Sequence, residues 1–301
     1  MVKRFALPLA CTLVLTAAAL WTPWASPQPN AREGWTNQAA AQFWTPERMA
    51  NAMPQTAPFG PEELPLPNAN VSTTIAPAGA ARHINGIPTV GVLFSVDDSA
   101  EAHFCSASVV HSPSRSLLLT AAHCEAGTDV VFVPDYVKGA KTQPYGTWAV
   151  DQVFTDPRWD DYDTGSGSDY DFAFARVKKN DEGRSIEDIT GANVLTRTPG
   201  WTNKVTVIGY PGEAFDPTGR AISCTTATSR LSGLRQLQMD CGGYYDGTSG
   251  SPWLLDFDPK TKTGKVIGLV GGLDGGGPDD SVSYSPLFED ALFTLYRTAG
   301  G

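Results

Sequence analysis

From residue 86 onward the chain is a succession of short apolar runs separated by clusters of Gly, Pro, Asp and Ser. The clearest are 89–96 (TVGVLFSV), 107–110 (ASVV), 116–120 (SLLLT), 130–133 (VVFV), 172–177 (FAFARV), 205–209 (VTVIG), 236–239 (QLQM), 253–255 (WLL) and 266–270 (VIGLV). Short β-rich runs bounded by turn residues are the pattern of an all-β sandwich or barrel, and the helix-length segments of a βαβ fold are missing between them. Only 287–298 (LFEDALFTLYRT) has helical spacing, with Leu287, Ala291, Leu295 and Tyr296 near one face. The expectation is therefore a mostly β domain closed by a C-terminal helix, without an internal repeat of fixed period.

The first 82 residues differ. They hold 11 of the 23 prolines but only five basic and four acidic residues, leaving 17 basic and 28 acidic for the remainder. Such a shift marks a boundary. Residues 1–25 read as a secretory signal: Lys3 and Arg4, an apolar stretch over 5–20, then small residues. Cleavage neighbourhoods lie at Ala17–Ala19 and at Trp24–Ala25. A retained membrane anchor is the alternative, but the run is short for a span. Cys11 does not suit a lipoprotein signal, because the apolar run continues beyond it. Residues 26–82 are rich in Pro and Ala; one short helix fits within 31–53, whereas 54–67 is broken by prolines. A pro-segment removed after export and a flexible linker are the two readings, the pro-segment being preferred.

Composition narrows the function. The chain has 301 residues, 41% hydrophobic and 18% charged, which excludes an acidic disordered protein. A net charge of −10 argues against nucleic acid as a partner. One long apolar run at the extreme N-terminus excludes a polytopic membrane protein and gives no reason for stable membrane association. Nothing signals an oligomer, so a monomer is expected. Apart from Cys11 there are four cysteines, Cys105, Cys124, Cys224 and Cys241. An even number in an exported chain favours disulfides, of which three pairings are possible. Nearest-neighbour pairing would close two short loops, each contributing roughly 3 kcal/mol. The spacing does not suit zinc, and neither a metal nor a cofactor is expected.

Of the four histidines, His123 ends an apolar strand at LLLTAAHC (117–124) and is followed at once by a cysteine. A general base needs such a rigidly held ring. Ser249, in DGTSGSP (246–252), has glycines two before and one after it, so that a substrate carbonyl could approach the main chain closely. The amides of Gly247 and Ser249 could then converge on an oxyanion. The plain alternative is a Gly/Ser turn between strands. A third, orienting carboxylate falls among six aspartates, at 156, 160, 161, 163, 169 and 171. Most suit a solvated acidic loop, with Ca²⁺ binding a further option. Asp171 stands out because it directly precedes an apolar strand, and Asp169, two residues earlier on the same face, is its rival.

Read together, HFCSASVVHSPSRSLLLTAAHC (103–124), YDFAFARV (170–177), VIGYPG (207–212), DGTSGSPW (246–253) and GLVGG (268–272) resemble the chymotrypsin/trypsin family of serine peptidases. The resemblance covers nearly all of 83–301 and implies two six-stranded antiparallel β-barrels with the site in the cleft between them. It implies Ser249 as nucleophile, His123 as general base, Asp171 as its orienting acid, and Gly247 and Ser249 as oxyanion donors. The Cys105–Cys124 bond would clamp the loop bearing His123. The order His, Asp, Ser also differs from that of an α/β-hydrolase, whose G-x-S-x-G is absent here. A secreted endopeptidase acting on peptide or protein substrates through an acyl-enzyme follows. The rival is an inactive binding module on the same fold, which the intact triad disfavours.

Two departures from the family shape the expectations. The acid that in animal members precedes the serine is replaced by Thr248, as in bacterial glutamyl endopeptidases with G-x-S-G-S-P. A pro-segment would thus cover the site or assist folding, with cleavage expected near 80–87. At the base of the substrate pocket the family position is Gly243, so the acid that selects Lys or Arg is missing. The histidine that glutamyl endopeptidases place in the pocket wall is missing as well. Gly271, Gly272 and Leu273 should edge the pocket and pair with substrate backbone, with Asp279 and Asp280 on an exposed loop nearby. A mid-sized apolar side chain is the expected preference.

Overall fold

Successive side chains on a strand point to opposite faces, and in the first half of this chain both faces are buried. A computed structural model describes Met1 and residues 34–55, 79–125, 127–159, 165–212 and 216–301. The expected signal beyond Met1, Cys11, much of the expected pro-segment and Asp160, Asp161 and Asp163 lie outside the described residues.

Two short helices, α1 (Asn37–Phe43) and α2 (Pro46–Ala50), precede three two-residue strands, β1 (Met53–Pro54), β2 (Gly79–Ala80) and β3 (Arg82–His83). The first barrel is built from β4 (Val90–Val96), β5 (Ala102–Val110), β6 (Leu117–Thr120), β7 (Thr128–Pro134), β8 (Trp148–Thr155) and β9 (Ala173–Val177). It closes because β6 pairs antiparallel with both β5 and β9. Leu93, Ala107, Val109, Leu118 and Phe132 fill its interior. The alternate residues Val92, Phe94, Leu117, Leu119 and Val131 face outward into a second cluster shared with the helices and the other half of the fold. That second burial explains why β4 and β6 read as continuous apolar runs.

A helix α3 (Ile186–Thr190) and β10 (Val194–Leu195) lead to the second half. There β11 (Lys204–Gly209), β12 (Ile222–Arg230), β13 (Gln236–Gly242), β14 (Pro252–Asp258), β15 (Thr263–Leu269) and β16 (Val282–Pro286) form a sheet in the order β15-β14-β11-β12-β13-β16. Its ends meet where Leu269 N donates to Ser285 Oγ and Gly271 N donates to Tyr284 O. Strands β8, β12 and β16 carry too many polar residues to stand out as apolar runs; β12 alternates in burial instead. The disulfides are Cys105–Cys124 and Cys224–Cys241, the nearest-neighbour pairing. The all-β architecture and the closing helix thus agree with expectation.

The C-terminal helix α4 (Asp290–Ala299) starts later than its sequence pattern suggested, and Leu292, Leu295 and Ala299 form its buried stripe. Leu287 precedes the helix, while Ala291 and Tyr296 flank the stripe. The helix returns to the first barrel, where Tyr296 packs on Phe174 and donates from its hydroxyl to His111 O.

The helix fitted to 31–53 is two helices, because Pro46 cannot continue α1 but suits the first turn of α2. Residues 34–55 place Trp35, Ala40, Trp44, Met49 and Ala52 in the core. Trp35 and Trp44 are 0% and 1% exposed. Their indole N–H groups donate to the carbonyls of Val130 and Asp129 at the start of β7, at 3.0 and 2.7 Å. Asn37 accepts from Ala149 N and donates to Lys179 O, spanning β8 and the end of β9. Replacing a fully buried aromatic leaves a cavity and loses its transfer free energy. Trp44→Ala should lower stability by about 3–5 kcal/mol in equilibrium denaturation; a loss below about 1 kcal/mol would show that this segment is an appendage.

Candidate active site

Antiparallel pairing decides where the first two candidates meet. Thr120, the last residue of β6, lies opposite Ala173, the first of β9. Chain leaving β6 and chain entering β9 therefore emerge at the same end, with His123 three residues after one partner and Asp171 two before the other. His123 sits on a 3-10 turn, Ala122–Glu125, that the Cys105–Cys124 bond ties to β5. Asp171 follows a second such turn, Ser166–Tyr170.

The carboxylate of Asp171 grips the imidazole residue twice: Oδ1 accepts from the His123 backbone N–H at 3.0 Å, and Oδ2 lies 2.8 Å from Nδ1. Oδ2 also accepts from Gly272 N at 2.7 Å. An ionised carboxylate can only accept, so it selects the tautomer with the proton on Nδ1 and the basic lone pair on Nε2. Asp171 is 2% exposed. Burial opposes its ionisation, but the charge of the His123 ring and the hydrogen bonds from His123 and Gly272 outweigh that and hold its carboxyl below the usual range. Its rival Asp169 accepts instead from Gln236 Nε2 at 3.0 Å, and burial pushes its carboxyl up. The structure thus separates two aspartates that sequence left on one face.

The loop bearing Ser249 belongs to the second half of the fold and is pinned to the first. Ser106, fully buried in the middle of β5, donates its N–H to Ser249 O at 2.9 Å and its hydroxyl to Gly247 O at 3.0 Å. The same hydroxyl accepts from Tyr210 N. Gly250 has φ +83°, and a Cβ there would lie 2.2 Å from Ser106 O and 2.3 Å from Thr120 Oγ1. No side chain fits, so glycine at 250 is what lets the loop reach the segment leading into His123. The proximity is also electrostatic: the charge of the His123 ring acts on the carboxyl of Asp246, though burial is the larger influence and pushes it up. Thr248, Gly250 and Ser251 donate their amides to Tyr245 O, Val270 O and Thr248 O. Among the described residues no acceptor takes the amide of Gly247 or Ser249.

The expected pocket residues are placed less simply. The N–H groups of Gly271, Gly272 and Leu273 are already donated, to Tyr284 O, Asp171 Oδ2 and Gln236 Oε1. Gly272 O and Leu273 O are taken as well, by Gly275 N and Gly276 N, so among the described residues only the carbonyl of Gly271 is left for strand addition to a substrate. A Cβ on Gly271 would lie 2.9 Å from Asp171 Oδ2, so this edge runs against the carboxylate. Gly243 donates its N–H to Asp280 Oδ2 at 3.2 Å, so of the two acids expected on a nearby loop Asp280 reaches this position. Asp279 remains exposed and caps Ser281. Ser106 and Gln236 are the residues that sequence reading missed. Both are polar, 0% exposed and lie inside apolar runs, so only their partners across the fold reveal them.

Among the described residues two clusters have ligand-type side chains close together. In one, Cys105 and Cys124 flank His123, but a disulfide offers no thiolate to a metal. In the other, Asp97, Glu101 and His103, the Asp97 carboxylate already accepts from Ser99 N and Glu101 N as a turn.

Residues 79–280 match the family model described as Trypsin. The chain belongs to the trypsin family. Members are serine-type endopeptidases that act on peptides and proteins, and the residues just described form the candidate active site of this trypsin-family chain. Solved structures repeat the fold. The protease Anisep from Arthrobacter nicotinovorans is 23% identical, with a TM-score of 0.61 over 73% of this chain and 99% of its own. The thermostable serine protease AL20 from an extremophilic microorganism is also 23% identical, with a TM-score of 0.61 over 71% and 97%. A Glu endopeptidase is 15% identical, with a TM-score of 0.55 over 74% and 97%. No curated protein matches the chain in sequence. The family model begins after the helical segment at 34–55, which is thus an addition to the shared domain.

Gly250→Ala should destabilise the fold by at least about 2 kcal/mol through strain and overpacking. It should also displace the 247–249 loop, seen as lost reaction of Ser249 with a fluorophosphonate. Unchanged stability and reactivity would contradict the placement of this loop.

Proposed function

We propose that the chain is a secreted serine endopeptidase in which Ser249, His123 and Asp171 form a catalytic triad. The observation that carries this reading is the doubly bonded His123–Asp171 pair, set beside a Ser249 loop that is pinned to the same strand system. His123 Nε2 takes the hydroxyl proton as Ser249 Oγ bonds to the peptide carbonyl carbon, and Asp171 stabilises the imidazolium that forms. The carbonyl oxygen becomes an oxyanion, for which the amides of Gly247 and Ser249 are the donors. Collapse of this intermediate breaks the C–N bond, and the imidazolium gives its proton to the leaving amine. Water repeats the sequence on the acyl-enzyme and frees Ser249.

Residues 1–25 act as the export signal and 26–82 as a pro-segment that assists folding, a role supported by the two tryptophans seated in the core. Two disulfides suit an oxidising, extracellular location. Among the described residues no helix is long and apolar enough to cross a membrane. The protein works as a monomer, with the base of its pocket at Gly243.

The purified protein should be labelled by a fluorophosphonate at Ser249, and Ser249→Ala should not. Asp171→Asn should lower turnover by about four orders of magnitude by holding His123 in the wrong tautomer. Asp169→Asn should change turnover far less. A folded but unreactive protein would point to a binding module, and the reverse ranking of the two aspartates would overturn the assignment of the acid.

A further inference from the structure

One edge of β5 carries three neighbours in succession. At its far end Ser108–Val110 pair with β6. In the middle Ser106 holds Gly247 and Ser249. At its near end His103 and Phe104 pair in parallel with Met53 and Pro54 of β1. Gln55 then donates its N–H to Phe104 O at 2.8 Å. Phe104 and Ser106 are two residues apart, about 7 Å along a strand, so β1 lies immediately beside the candidate oxyanion loop. Phe104 also touches that loop directly, since a Cβ on Gly247 would lie 2.6 Å from Phe104 Cε2. On the other flank Gly212 is enclosed by both parties: a Cβ there would lie 2.9 Å from Pro54 Cγ and 2.9 Å from Asp246 O.

A peptide whose scissile carbonyl sits on the amides of Gly247 and Ser249 must pass in two directions. The 271–273 edge lies on the Asp171 side and is the expected track of its acyl half. Its leaving half runs toward β5 at Phe104, the strand edge on that side, which is otherwise covered by β1. The chain's own Gln55 already takes that carbonyl. We infer that Met53–Gln55 occupy the leaving-group side of the active site and restrict the full chain to bonds with few residues beyond them. The occupant is firmly held, because Ala52, Met49, Trp44 and Trp35 upstream of it are all buried. Its own grip on β5 is slight: Pro54 has no N–H, and Met53 is half exposed. A strand fastened at one end and lightly paired at the other is suited to yield, at a cost, when a longer leaving peptide competes.

This inference rests on the hydrolytic reading, and one series tests the two separately. The full chain, with residues 34–55 verified by mass spectrometry, is labelled with a fluorophosphonate and assayed on a tetrapeptidyl-coumarin library. The best acyl sequence is then extended by leaving peptides of one to four residues. Coumarin release should be efficient, and kcat/KM should fall by about tenfold as the leaving peptide lengthens. Gln55→Pro removes one hydrogen bond and should recover about three- to tenfold on the four-residue leaving peptide, with coumarin release changed less than about twofold. A rate that is flat or rises with length in the unaltered chain overturns the inference without needing the variant. An equal gain on both substrate types in Gln55→Pro overturns it too. Absent labelling together with absent coumarin release sinks the hydrolytic reading and this one with it. Intact labelling with a flat length series sinks this one alone.

Discussion

The site depends on one buried serine. Ser106 lies at the centre of β5, and its main-chain N–H, hydroxyl and carbonyl reach Ser249 O, Gly247 O and Thr120 Oγ1. Tyr210 N reaches the same hydroxyl from the second half of the fold. A group with no exposure to water cannot leave such partners unmade without a cost of about 1–3 kcal/mol each. The two halves are therefore locked in one relative position at the place where the histidine of one must meet the serine of the other. The glycines around this junction follow from it. A Cβ on Gly209 would lie 1.8 Å from Ser251 Oγ and 3.2 Å from Ser106 Oγ.

The same strand carries the lock and the N-terminal addition. Phe104 packs on Phe94, which packs in turn on Trp44, so an aromatic path runs from the 247–249 loop to the helices that precede the shared domain. The outward face of the first barrel is apolar over β4, β6 and β7 and requires a cover. Part of that cover is the second half of the fold, and part is the pair of tryptophans at 35 and 44. This shared cover is why residues 34–55 bear on the site as well as on stability.

Much of this was legible in advance, for identifiable reasons. Runs such as 117–120 and, apart from Arg176, 172–177 could be read as strands because burial on both faces makes them apolar. Strand β12 is harder to see because its exposed positions are polar, β16 because it buries Ser283 and Ser285, and β8 because Asp151 and Gln152 interrupt it. His123 and Ser249 stand out as candidates because each has a local signature, a cysteine beside one and glycines around the other. The helix boundary at 290 was misplaced because an apolar Leu287 continues the periodicity into the loop that enters the helix.

The sequence by itself determined the strand-rich architecture and marked one histidine, one serine and a short list of carboxylates as candidates, since these follow from local periodicity and from glycine and cysteine chemistry. Only the tertiary structure separates Asp169 from Asp171, because they stand two residues apart in sequence and their partners, Gln236 and His123, arrive from distant segments. Only it revealed the buried roles of Ser106 and Gln236 and the amides already spent along 271–273. Only it turned a Pro- and Ala-rich stretch into part of the core beside the active site. Each of these is a long-range hydrogen bond or packing contact, and composition and spacing carry no record of which distant groups a folded chain brings within 3 Å.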